Sequence, residues 1–322
     1  MMFSSSTTKG AIAVIGMLGL IALNRPAHAQ YAIDKVSSPS SDFKIISANA
    51  VANDGSFVLE TMALTPQAPC GFVVKGDSVE PFTVAGASYF GTRDLNPSGA
   101  SVGYAITANN NIVGFLRDRS GRVTQITVPG GAYTFANGIN ESGTIVGTYW
   151  DANFGSHGFI LDRGKITPFN VPGATATELS GINASGTAIG TYSNVTGIHP
   201  FVLDTKGVVT KLTVPGAVWA FGFALNHYGH SVGCYMDSNH TVHGYALKDG
   251  VLTPIDYTDW PSTISEDVPG YGTLTLTLRE FGTDVRGINN RGDIVGRGFA
   301  NYYNAQYAFL KTEYTGFSGS LK

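Results

Sequence analysis

GINESGTIVGTYWDANFGSHGFILDRGKITPFNVPG, from Gly138 to Gly173, is followed by a near copy, GINASGTAIGTYSNVTGIHPFVLDTKGVVTKLTVPG, from Gly181 to Gly216. Self-similarity at a fixed period has to be read before anything else, because each unit of a repeat buries its apolar face on its neighbours. The Asn-x-x-Gly turn recurs at Asn96, Asn140, Asn183, Asn226 and Asn289, with spacings of 44, 43, 43 and 63 residues. A worn copy, Ala52-Asn53-Asp54-Gly55, lies 44 residues before Asn96. That makes six units, the long spacing being one unit plus an insertion at about 259–278.

Each unit has the same parts. An apolar residue precedes the turn (Val51, Leu95, Ile139, Ile182, Leu225, Ile288). Asn first and Gly fourth suit a type I turn. A short strand follows, then a loop of variable length, then a strand carrying Gly71-Phe72, Gly114-Phe115, Gly158-Phe159, Pro200-Phe201, Gly244-Tyr245 or Ala308-Phe309. A Gly turn leads to a further strand ending at Val-Pro-Gly, and another, rich in small residues, enters the next Asn turn. Four short strands per ~43 residues predict β-propeller blades. The expectation is all-β: one six-bladed propeller domain over 30–322, closed by pairing of the N- and C-terminal strands.

The repeated His/x-Gly/Ala-Phe strand, the G-I-N-x-x-G turn and the V-P-G-A ending resemble the HAF-repeat family of secreted bacterial proteins, over about residues 31–311. The resemblance implies an extracellular location and a propeller-like repeat. No catalytic residue comes with it.

The N-terminus agrees with that address. Lys9 precedes the apolar run Ala11–Leu23, and Ala27-His28-Ala29 is a small-residue cleavage pattern, so 1–29 is read as a signal peptide cut after Ala29. The run is too short to span a bilayer comfortably. A secreted or periplasmic protein without membrane insertion is expected. The formal charge of −3, with Lys9 and Arg25 inside the leader, gives no footprint for nucleic acid. Cys70 and Cys234 fall in units that are not neighbours in a ring, which argues against a disulfide.

If the strand ending in G-I-N is innermost, the Asn turns share one face of the ring. The variable loops and the insertion share the other, where binding is expected. Counting back seven, five and three residues from each turn gives the channel positions. Tyr89, Tyr133, Phe135, Trp219 and Phe221 are candidate platforms for sugar rings. Arg93, Asp94 and Arg286 are polar departures beside them. Glu178 and Asp284 break an otherwise apolar or small pattern, and are the acidic pair if the protein is a glycoside hydrolase or polysaccharide lyase. His157, His199 and His243 occupy one position in successive units, too far apart to share a metal, and read as structural. No nucleophile elbow, zinc-protease, Walker or dinucleotide motif is present in the sequence, and neither cofactor nor metal is expected. The leading expectation is a monomeric recognition protein for a glycan or an extracellular protein surface; an enzyme and an assembly scaffold are the alternatives.

Overall fold

Strand-forming runs such as Ile145-Val-Gly-Thr-Tyr-Trp-Asp151, bounded by Gly and Asn turns, have no alternative to pairing locally, and they do so as antiparallel meanders. The computed structural model describes residues 34–35, 43–63, 71–76, 78–257, 263–268, 272–277, 282–300 and 305–311. In the central unit Gly131–Ile139 pairs with Ile145–Asp151, that strand with Ser156–Asp162, and that one with Lys165–Phe169. The inner strands of the six units are Phe43–Val51, Ala87–Leu95, Gly131–Ile139, Ala176–Ile182, Trp219–Leu225 and Gly282–Ile288. In the last unit the fourth strand is supplied by Asp34–Lys35, paired antiparallel with Ala305–Lys311.

The expectation of six separate blades is corrected to five. The pairing gives four sheets of four strands and one of eight. In the large sheet the strands of the fifth and sixth units are joined by a parallel bridge from Val242 to Gly282. Where the other inner strands carry a side chain (Ile45, Tyr89, Tyr133, Ala176, Trp219), this one has Gly282, and a Cβ there would stand 2.3 Å from the Phe299 ring of its own unit. The insertion contributes a separate hairpin, Thr263–Val268 with Gly272–Thr277. Residues 1–29, Cys70 and parts of the insertion (258–262, 269–271 and 278–281) lie outside the described residues.

The core lies between units rather than within them. One cluster joins Val102, Ile126 and Val128 of the second unit to Ala136, Ile139, Ile145 and Phe159 of the third. Another joins Ile45, Leu59 and Phe72 of the first to Val295 and Ala308 of the last. Phe115, Phe159, Phe201 and Tyr245 of the recurring strand are fully buried there, each contributing about 2–3 kcal/mol. The glycine before the aromatic residue admits the next unit: a Cβ on Gly158 would sit 3.1 Å from Leu179. Where Pro200 replaces that glycine, Gly222 replaces the larger residue opposite, and its own Cβ would stand 3.2 Å from Pro200.

The repeated asparagine does more than shape its turn. Oδ1 of Asn140 accepts from the Thr144 amide at 2.9 Å, as a turn residue should. Nδ2 reaches the next unit: Asn96 donates to the Asn140 carbonyl, Asn183 to Asn226, Asn226 to Asn289 and Asn289 to Ala52, at 3.0–3.2 Å. The last of these joins residues 237 apart and ties the final unit to the first. Each buried bond is worth about 1 kcal/mol made, and more if broken on one side.

Candidate functional site

A β-bulge interrupts every inner strand three residues before its turn. The unpaired residues are Asn49, Arg93, Asn137, Ser180, Phe223 and Arg286. A bulge re-aims a side chain, and all six line one cavity of about 110 Å³ on the ring axis, together with Asp94 and residues of the Asn turns. The structure therefore brings Arg93, Asp94 and Arg286 together at the Asn-turn end of the channel. Tyr89, Tyr133, Phe135, Trp219 and Phe221 stand further along the same strands, toward the variable loops.

That upper level holds two aromatic groups. Tyr89 meets Tyr104 at 6.1 Å between ring centroids, and Tyr104 meets Phe135 at 5.4 Å. Phe135 and Tyr133 both touch Trp150, at 6.1 and 5.8 Å, and Phe154 closes on Tyr133 and Trp150 at 6.3 and 6.5 Å. Across the fifth unit, Trp219 packs on Phe221 at 5.3 Å, and Phe221 stacks on Phe223. Phe154 is 67% exposed and has φ +63°, a left-handed conformation that bulky residues rarely adopt. Asp151 holds it there. Its Oδ1 accepts from the Asn153 and Gly155 amides, and its Oδ2 pairs with His157 Nε2 at 3.2 Å.

The charged side chains gather on the first, second and sixth units. Asp284 is 2% exposed. Its Oδ2 accepts from Arg286 Nη2 at 2.7 Å and Arg297 Nε at 2.9 Å, and Arg297 Nη2 forms an ion pair with it at 2.8 Å. Burial pushes this carboxyl up, but the two guanidiniums more than offset it and hold it below the usual range. Glu60 is also buried. It accepts from Asn49 and Tyr89 at 3.0 Å and lies 3.8 Å from Arg93, and these partners outweigh burial to keep it ionised. Gly91 makes the room, since a Cβ there would stand 2.6 Å from Glu60 Oε1. Glu178 is different: burial raises its carboxyl toward the neutral form.

Glu60, Tyr104 and Arg297 were not singled out from the sequence. They occupy the second-strand position opposite the residue five before the turn, where other units carry Thr148, Thr191 and Cys234. A scan of that column for departures finds all three. Trp150 lies on the same strand of its unit but opposite Tyr133, seven residues before the turn.

Asp94 stands where every other unit has Gly or Ala: Ala50, Gly138, Gly181, Ala224, Gly287. Its two oxygens accept from the Leu95 and Ile139 amides, each at 2.8 Å, bridging the second and third units. Burial pushes its carboxyl up to about 7 from 3.8, against the pull of those amides. Between these values the folded chain holds more protons than the unfolded one, so stability falls as pH rises, by up to about 1.4 kcal/mol per unit. Urea midpoints between pH 4.5 and 6.5 are expected to show this fall in wild type and lose it in Asp94→Asn. That variant is less stable throughout, because its NH2 faces an amide donor. Equal slopes in the two proteins would show that Asp94 ionises normally.

The three repeated histidines serve their own loops. His243 lies 3.0 Å from Asp256 and 3.5 Å from Asp237, and His199 bonds Thr196 at 2.8 Å. Among the described residues no group of three or more His, Cys, Asp or Glu is placed to hold a metal ion.

No family model matches the chain, and no curated protein matches it. Solved structures do. The virginiamycin B lyase of Staphylococcus aureus, in a catalytically inactive form with quinupristin, is similar at 11% identity and TM-score 0.50, over 88% of this chain and 99% of that one. TolB from Acinetobacter baumannii is similar at 14% identity and TM-score 0.50, over 85% and 66%. A lectin from Aleuria aurantia in complex with Fucα1-6GlcNAc reaches 14% identity and TM-score 0.49, over 88% and 100%. At such identities the likeness is one of fold, a β-propeller.

Proposed function

We propose that this chain is a secreted or periplasmic recognition propeller that binds a glycan at the variable-loop end of its channel. One observation carries the reading. Phe154 is held in a left-handed conformation by Asp151 and His157, exposed, and set against Tyr133 and Trp150. The same left-handed turn recurs at Asn110 and His240, so what sets Phe154 apart is the exposed aromatic side chain that the turn presents beside Tyr133 and Trp150. Flat aromatic faces on a fixed loop offer large contact area at little entropic cost. Among the described residues no helix is long and apolar enough to cross a membrane. The hydrolase or lyase alternative needs two carboxyls able to exchange protons. Asp284 is committed to two guanidiniums, so recognition is the better supported of the two.

The test is electrophoresis of the mature protein through gels containing a panel of polysaccharides, beside Phe154→Ala and Trp219→Ala. Retardation by one polymer, weakened about tenfold or more in either variant, is the expected result. Clearing of the polymer would move the reading to an enzyme. No retardation in any gel would sink the glycan reading and leave a protein surface as the ligand.

A further inference from the structure

The cavity at the opposite, Asn-turn end is a site of its own. Its wall carries donors that the fold does not use. The Arg93 guanidinium lies over the Tyr104 ring at 5.0 Å and 3.8 Å from Glu60, yet makes no hydrogen bond among the described residues. Arg286 spends one nitrogen on Asp284 and lies over the Phe223 ring at 4.1 Å, and its Nε is buried without a partner. The Ser180 hydroxyl, on the same ring of bulges, has no partner among the described residues either. Arg286 Nε is the buried donor of the three, and a buried donor is unfavourable unless something accepts from it; the Arg93 side chain, 30% exposed, and half-buried Ser180 face the cavity beside it. The fold also orients these side chains, since Arg93, Ser180 and Arg286 are each the unpaired residue of a bulge.

The geometry points to a binding site for a small monocarboxylate, with its oxygens between Arg93 and Arg286 and its body against Phe223. A planar guanidinium fork matches a carboxylate. The cavity wall carries Arg93 and Arg286 but also Asp94 and Glu141, so one negative charge suits it better than the two of a phosphate dianion, which would meet carboxylates as well as guanidiniums. Both oxygens of Asp94 are engaged by backbone amides, so it has none left to compete for the guanidiniums. The cavity's about 110 Å³ admits a group the size of a small organic acid or the end of a larger one.

Isothermal titration at pH 6 with acetate, glucuronate and inorganic phosphate tests the site. Acetate and glucuronate are expected to bind one per chain and to compete with each other. Affinity falls at least about tenfold in Arg93→Gln and stays unchanged in Phe154→Ala, so this site and the glycan mouth succeed or fail separately. Circular dichroism confirms that Arg93→Gln is folded; should it not be, Ser180→Ala decides, with a loss of about threefold or more. The inference is overturned by no heat with either carboxylate up to about 10 mM, by undiminished binding in the variants, or by phosphate binding more tightly than the carboxylates.

Discussion

Asp284→Asn is expected to lose about 3–5 kcal/mol of folding stability, measured as the shift of its urea midpoint at pH 7. Three N–H groups from Arg286 and Arg297 converge on one carboxylate oxygen of a side chain that is 2% exposed. The amide has the same shape but no charge, and if its NH2 rather than its oxygen faces the arginines, donors meet donors. Two guanidiniums then stay in the channel wall without a counter-charge. The effect has a pH signature. Because the folded carboxyl is held below its ordinary value, its contribution is present above the unfolded value and is lost as pH falls through the folded one. Wild type should therefore weaken on acidification, below the usual carboxylate range, more than the variant does. Glu178→Gln is the matched control. Burial already disfavours its charge, so that variant should stay within about 1 kcal/mol of wild type. A catalytic pair would behave otherwise, with neither carboxylate needed for folding. If Asp284→Asn is as stable as wild type, the ion triad is not structural and the acid–base reading of the channel regains its footing.

How far the sequence reaches can be followed residue by residue. The Asn-x-x-Gly turns, the strand after each and the buried aromatic residue of the third strand are local patterns, and each forms where its residues predict. The small residues before each turn are small because inner strands touch: a Cβ on Gly138 would stand 2.8 Å from the Gly181 Cα. What escaped was relational. Nothing in a single unit says that Asn183 Nδ2 donates to the Asn226 carbonyl, or that Gly282 pairs with Val242 of the unit before it. The bulges escaped too, since a period-2 reading of an inner strand runs straight through them. They decide which end of the channel Arg93 and Arg286 serve. The charged cluster was half legible: Arg93, Asp284 and Arg286 stand out in the inner column, while Glu60 and Arg297 belong to the strand outside it.

Gly190→Ala should be among the most damaging single methyls at the described residues, with a loss of at least about 3 kcal/mol or failure to fold. The glycine belongs to the Ile/Val-Gly-Thr-Tyr run of the second strand. Its added Cβ would stand 2.0 Å from the Glu178 carbonyl oxygen and 2.9 Å from the Phe201 ring. Neither neighbour is free to retreat. Phe201 is fully buried, and the Glu178 backbone is fixed in the ladder two residues before the bulge at Ser180. The same encounter recurs at Gly103, Gly147 and Gly233, each 1.9–2.1 Å from a carbonyl of the inner strand, so this is a property of the repeat and not of one unit. Gly143→Ala separates crowding from backbone strain. That turn glycine has φ +83° and nothing within 4 Å of its Cβ position, so alanine there meets only the left-handed penalty of about 1–2 kcal/mol. If the two variants lost equal stability, the recurring glycine would be a matter of conformation alone. If Gly190→Ala is much the worse, the close approach of the two strands is what the glycine secures. That approach also sets the bulge, and through it the direction in which Ser180 faces the channel.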